Sequence, residues 1–139
     1  MARILIMGLP GSGKSTLATV LVSMLDNAKW YNADQVREQF NDWDFSKEGR
    51  QRQAHRMREF AESDVLNNIK HTVCDFVAPT EELRNIYAPD ITIWMDTIKS
   101  GRYADTNAVF VEPLHWDYRI TEYNSEKHAG IIANKLNQL

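Results

Sequence analysis

Apolar and polar positions follow two rhythms along this chain. Ile4-Leu5-Ile6-Met7 is a continuous apolar run of strand length, which predicts a fully buried strand over 3–7. Leu17, Val20, Leu21, Met24 and Leu25 then recur at helical spacing, predicting a helix over 14–26. The alternation continues. Residues 28–32 read as a short strand, 34–40 as a short helix capped by Asp34, and 47–68 as a long helix capped by Ser46. The inward stripe of that long helix is Ala54, Met57, Ala61, Val65 and Ile69. A strand at 71–77, a helix opened by Pro79, a strand at 91–95, a polar irregular stretch at 97–117 and a strand at 118–121 follow. Asn124 or Ser125 caps a final helix with Ile131, Ile132 and Leu136 on its apolar stripe. Strands alternating with helices predict an α/β fold: about five strands, mainly parallel, in a sheet flanked by helices on both faces.

Between the first strand and first helix lies Gly8-Leu9-Pro10-Gly11-Ser12-Gly13-Lys14-Ser15-Thr16. It fits the phosphate-binding pattern G-x-x-x-x-G-K-[ST] in the required strand–loop–helix context. The glycines let backbone N–H groups curl around phosphate oxygens, and the helix directs its positive end at the same anion. Lys14 adds a full charge on the β- and γ-phosphates, and Ser15 offers a hydroxyl to Mg²⁺. Gly8, Pro10, Gly11, Ser12, Gly13, Lys14, Ser15 and Thr16 are therefore the expected nucleotide-binding residues, with ATP and Mg²⁺ as the cofactors. Ligands of open parallel sheets sit at the carboxyl ends of the strands. That gathers the loop at 8–16, Asn32-Ala33-Asp34, the segment from Asp75 to Pro79 and the loop from Asp96.

Composition narrows the remaining choices. The chain has 139 residues, which suits one domain, and a net charge of -3, which argues against bulk duplex binding. The single cysteine, Cys74, rules out a disulfide framework and points to a reducing cytoplasm. His55, His71, His115 and His128 are scattered without metal spacing. No apolar segment has the length to span a bilayer. The first residues lead directly into a core strand, so no cleaved signal peptide is expected.

Phosphoryl transfer also needs a carboxylate near the acceptor. Asp34 follows the second strand and starts a helix, and Asp75 ends the apolar run Thr72-Val73-Cys74. Thr72-Val73-Cys74-Asp75 resembles a Walker B strand that can hold Mg²⁺ through water. Arg37 lies one turn beyond Asp34. Arg50 and Gln53 continue the buried stripe of the long helix toward its start, where a polar pair suits either a ligand or a rim salt bridge. Trp43 and Phe45 either stack on a base or fill the core.

These blocks together resemble the adenylylsulfate kinase family of P-loop kinases. Asn32-Ala33-Asp34-Gln35-Val36-Arg37 is similar to the family's Asp-Gly-Asp-Asn-x-Arg, and Phe45-Ser46-Lys47-Glu48-Gly49-Arg50 to Phe-Ser-x-x-Asp-Arg. Phe76-Val77-Ala78-Pro79 resembles Phe-Ile-Ser-Pro, with Arg84 at the following arginine position. The resemblance covers residues 3–95. It implies a three-layer P-loop kinase fold and transfer of the γ-phosphate to the 3'-hydroxyl of adenylylsulfate, a small anionic nucleotide of sulfate assimilation. Asp34 is the implied base and, with Lys14, the catalytic pair. Arg37 and Arg50 hold the phosphosulfate, Phe45 stacks on the substrate adenine, and Gln53, Val77, Ala78 and Pro79 line its pocket. The family's frequent dimers imply a homodimer.

The sequence departs from the family in three places. Gly49 stands for an acidic residue. Thr80-Glu81 stands for Tyr-Arg. After strand four the family has a helix and a longer lid, whereas here Asp96 to Tyr103 follows at once. The lid, about 96–113, is short, with Lys99 and Arg102 as its candidate cations. A short lid admits a larger acceptor, so a nucleoside, nucleotide or polynucleotide 5'-hydroxyl kinase stays open, as does a nucleotide-binding module without transfer.

Overall fold

The computed structural model describes residues 2–101 and 103–138. Its elements, in chain order, are β1 (Ala2–Met7), α1 (Lys14–Met24), β2 (Ala28–Asn32), α2 (Ala33–Phe40), α3 (Lys47–Leu66), β3 (His71–Asp75), α4 (Glu81–Tyr87), β4 (Ile91–Met95), α5 (Ala104–Val109), β5 (Tyr118–Ile120) and α6 (Ser125–Leu136). Among the described residues, the strands form one sheet in the order β2-β3-β1-β4-β5. Every pairing is parallel.

The continuous apolar run of β1 is explained by cover on both faces. Ile4 and Ile6 pack with Leu17, Leu21, Ile132 and Leu136 from α1 and α6. Leu5 and Met7 point the other way, against Val36, Ala54, Met57 and Leu83 from α2, α3 and α4. All four β1 side chains are fully buried, contributing about 2 kcal/mol each by area. Alternate side chains feeding opposite layers leave β1 no polar face. No helix among the described residues is long and apolar enough to cross a membrane.

Several boundaries differ from the sequence reading. Asn32, rather than Asp34, caps α2: its side-chain oxygen accepts from the backbone N–H of Gln35 at 3.1 Å. Both residue types cap well, and the earlier one wins because the chain leaves β2 there. Thr80, rather than Pro79, opens α4 through a bond from the Leu83 N–H. β3 stops at Asp75, and Ala78 turns the chain with a left-handed φ of 45°. The inner stripe of α3 carries Asp64 in place of Val65, which is exposed, while Ile69 lies beyond the helix. Asp64 is tolerated inside because the hydroxyls of Tyr31 and Thr72 each donate to it at 2.8 Å. Ile131 of α6 and Met24 of α1 are exposed. The stretch expected to be irregular contains α5.

His71, at the start of β3, is 1% exposed, and neither ring nitrogen has a hydrogen-bond partner. Burial pulls its pKa below the ordinary value of 6.5. The folded ring stays neutral where the unfolded ring takes up a proton. No penalty applies above the ordinary value, and stability is lost as pH falls below it, by at most about 1.4 kcal/mol per pH unit. Asp75, raised to about 6, acts in the opposite direction over part of that window. The difference between protein and variant isolates the imidazole. Between pH 7.5 and 5.5, the urea midpoint of the wild type will fall further than that of His71→Phe. Equal falls would show that the ring does not set the acid limit.

Candidate active site

The turn after β1 is shaped for an anion. Gly8 has a φ of 150°, and a Cβ there would sit 2.6 Å from the Met95 carbonyl oxygen and 2.8 Å from Ser12 Oγ, so only glycine fits. Gly13, in a left-handed conformation, precedes α1 without capping it by a side chain. The first-turn N–H groups of α1 are thus left for a ligand. Lys14 Nζ donates to the Leu9 carbonyl at 3.1 Å, so the ammonium lies across the loop.

Two hydroxyls brace this loop from outside. Thr97 Oγ1 donates to the Ser12 carbonyl at 2.8 Å, and Tyr123 OH donates to the Gly11 carbonyl at 3.0 Å. Thr97 follows β4 and Tyr123 follows β5. Holding these carbonyls outward fixes the orientation of the peptide groups around the nest. The sequence reading did not find either residue. The only available signal was that both lie just past strand ends on the carboxyl side of the sheet.

β2 and β3 supply the acidic side. Asn32 and Asp75 are register partners. Asn32 Nδ2 donates to the Asp75 oxygens at 3.3 and 3.2 Å, and Trp30 Nε1 donates to Oδ2 at 2.5 Å. Asp75 is buried, and burial raises its pKa to about 6 against the pull of Trp30, Asn32 and the Lys14 charge. Asp34 lies in the first turn of α2, exposed. Its carboxylate makes no hydrogen bond or ion pair with the described residues, yet its charge is felt at Asp75 and at Arg37.

The loop from α2 to α3 forms the opposite wall. Arg37 is buried, and its Nη1 donates to the carbonyls of Asp42 at 3.0 Å and Asp44 at 3.2 Å. Its guanidinium lies 4.3 Å from the centre of the Phe45 ring. Burial lowers the Arg37 pKa, with Arg50 and Arg56 adding to that and Asp42 opposing it. Phe45 is 54% and Trp43 51% exposed, so neither fills the core. Arg50 Nε donates to the Phe45 carbonyl at 2.8 Å, while its terminal nitrogens make no hydrogen bond with the described residues. Gln53 is buried. Its Nε2 donates to the Ala33 carbonyl at 3.0 Å, and its Oε1 has no partner. Gly49 is required here because a Cβ would lie 2.1 Å from the Asp44 carbonyl oxygen.

After β3, Ala78 and Pro79 are buried and Val77 is half-buried. Arg84 Nε donates to the Ala78 carbonyl at 2.8 Å, and its Nη2 donates to the Val111 carbonyl. The Val111 N–H returns a bond to the Pro79 carbonyl at 2.7 Å. Arg84 therefore ties the segment after α5 onto this wall. Glu81, whose charge reverses the family pattern, is paired with Arg84.

Part of the segment expected to form a lid packs against the nucleotide loop. A Cβ on Gly101 would come 3.0 Å from the Pro10 carbonyl oxygen, and the Asn107 amide both donates to and accepts from the Gly101 backbone. Lys99 is exposed and pairs with Asp96 at 3.2 Å. Arg119 of β5 binds the same carboxylate at 2.6 Å and lies over the Trp94 ring. Arg102, the other lid candidate, lies outside the described residues. A cleft of about 190 Å³ runs between Leu9, Trp94, Ile98, Asn107 and Phe110.

Lys14, Asp34 and Asp75 follow or end strands at the carboxyl edge of the sheet, with the α2–α3 loop and the segment Val77–Pro79 beside them. Comparison with known proteins identifies the family and the fold. Residues 1–97 match the model of the family described as adenylylsulphate kinase. No curated protein sequence matches significantly. Among solved structures, the chain is similar to the Mycobacterium tuberculosis APS kinase in complex with AMPPNP and APS, with a TM-score of 0.77 at 18% identity, covering 99% of this chain and 97% of that one. It is also similar to shikimate kinase from Aquifex aeolicus, with a TM-score of 0.64 at 17% identity, covering 98% and 96%. At these identities the likeness is one of fold. With the match extending over the first 97 residues, the chain belongs to the adenylylsulphate kinase family of P-loop kinases.

Proposed function

We propose that the protein transfers the γ-phosphate of ATP to the 3'-hydroxyl of adenylylsulfate. The observation that carries this reading is the state of Asp34. Asn32 takes over the capping of α2, and the Asp34 carboxylate makes no hydrogen bond or ion pair with the described residues. It stands open at the strand edge, where Arg37 and Asp75 feel its charge.

Asp34 accepts the hydroxyl proton of the acceptor. Lys14 and the N–H groups of the loop and the start of α1 neutralise charge on the transferring group. Arg37, committed to the loop carbonyls, holds Phe45 as a stacking surface. Arg50, whose terminal nitrogens make no hydrogen bond with the described residues, meets the anionic end of the acceptor. Val77, Ala78 and Pro79 line the acceptor pocket, and Lys99 approaches from the lid.

Mg²⁺ is implied by the family, and the residues fit it. Ser15 Oγ, in the first turn of α1, makes no hydrogen bond with the described residues. No cluster of three acidic, histidine or cysteine side chains is present among them. That suits an ion that keeps several waters and takes most remaining contacts from phosphates. Ser15 would hold it directly and Asp75 through water. When bound, the ion neutralises charge shared by the β- and γ-phosphates.

The test is ADP release from ATP and Mg²⁺ with each acceptor class in turn. Adenylylsulfate will stimulate turnover. Stimulation only by a nucleoside or oligonucleotide would replace this acceptor with a 5'-hydroxyl, a reading that the exposed Trp43 beside Phe45 would then serve. Tight ATP binding with no stimulation by any acceptor would leave a nucleotide-binding module.

A further inference from the structure

Asp75 poses a problem of cost. It is 3% exposed, and an ionised carboxylate is expensive to bury without partners. Its partners are specific. Trp30 and Asn32, both on the neighbouring strand, donate to it. Asn32 then turns its amide oxygen toward α2 and accepts from the Gln35 N–H at 3.1 Å. A single asparagine links a buried carboxylate to the first turn of the helix that carries Asp34.

Asp75 is the register partner of Asn32 on β3. Register partners in a parallel pair project to the same face, with strands about 4.8 Å apart. A carboxylate on either strand therefore reaches the same place.

We propose that Asp75, through Asn32, positions Asp34. The carboxylate orients the amide: with Nδ2 held by Asp75, the amide oxygen faces the helix. Without that anchor the amide has no fixed orientation, Gln35 loses its acceptor and the first turn of α2 loosens. The reciprocal arrangement, aspartate on β2 and asparagine on β3, keeps one charge and one cap. This proposal rests on Asp34 being the base.

The test compares Asp75→Asn, Asn32→Asp and the reciprocal double variant. Asp75→Asn will lower kcat roughly 10- to 100-fold, with affinity for ATP measured without Mg²⁺ within about 2-fold of wild type. Asn32→Asp will also lower kcat, by setting two carboxylates side by side. The double variant will recover to within about 3-fold of wild type. A double variant no better than Asp75→Asn overturns the exchange. So does a kcat loss that follows the folded fraction measured by thermal melting.

A second readout needs no acceptor. In ¹H–¹⁵N spectra, Asp75→Asn will move the Trp30 indole and Gln35 amide resonances, and the double variant will move both back. An unmoved Gln35 resonance overturns the link to α2. Restored resonances in a protein that fails to phosphorylate adenylylsulfate would leave the exchange standing and reject the acceptor assignment alone.

Discussion

Lys14→Ala lowers kcat by about 100- to 1,000-fold while the protein still folds. Removing one preorganised charge from a transition state costs about 2.7–4 kcal/mol, and Lys14 is the cation placed in the nucleotide loop. Its stem leads from the first residue of α1 back across the loop to the Leu9 carbonyl. The ammonium is therefore held across the loop. The fold does not depend on it, since the core beneath α1 is built by Leu17, Ala18 and Leu21. Steady-state turnover with saturating ATP, beside a thermal melt of the same preparation, checks both halves. A variant turning over at the wild-type rate would undo the site assignment.

Asp34→Ala separates binding from transfer. Its carboxylate contributes no cap, hydrogen bond or ion pair among the described residues, so the variant should melt within about 0.5 kcal/mol of wild type. ATP affinity should hold, because the nucleotide loop and Asp34 lie on different strand ends. Acceptor-stimulated turnover should fall by about 100- to 10,000-fold, the range of a positioned base. Binding is read by titration with a non-hydrolysable ATP analogue, and transfer by ADP release. Transfer that survives at the wild-type rate removes Asp34 from the role of base and returns the choice of carboxylate to Asp75.

What the sequence disclosed, and what it hid, follows the range of the interactions. The nucleotide loop, β1 and α1 were legible because a local motif and two local periodicities agree. The acceptor wall was legible as residues but not as contacts. Arg37 was read as facing an anion, whereas it lies buried beneath Phe45, bonded to the carbonyls of Asp42 and Asp44. Two good caps stood two positions apart at Asn32 and Asp34, and only the end of β2 decides between them. Asp64 took the stripe position expected for Val65 because Tyr31 and Thr72 satisfy it from other elements. Periodicity cannot register a partner that arrives from another strand. The short helix α5 was hidden for a similar reason. Its support comes from Asn107 reaching back to Gly101, not from an apolar stripe.

The braces on the nucleotide loop carry a consequence for how this protein can be divided. The family match covers residues 1–97. Yet one carbonyl of the loop is held by Thr97, at the last matched position, and the neighbouring one by Tyr123, well beyond it. A fragment ending at the family boundary would keep the complete phosphate-binding motif and lose part of the scaffold that shapes it. It would also lose α6, which covers the same face of the sheet as α1. In this chain the motif is written in the first 16 residues, but its working shape is a property of the last third.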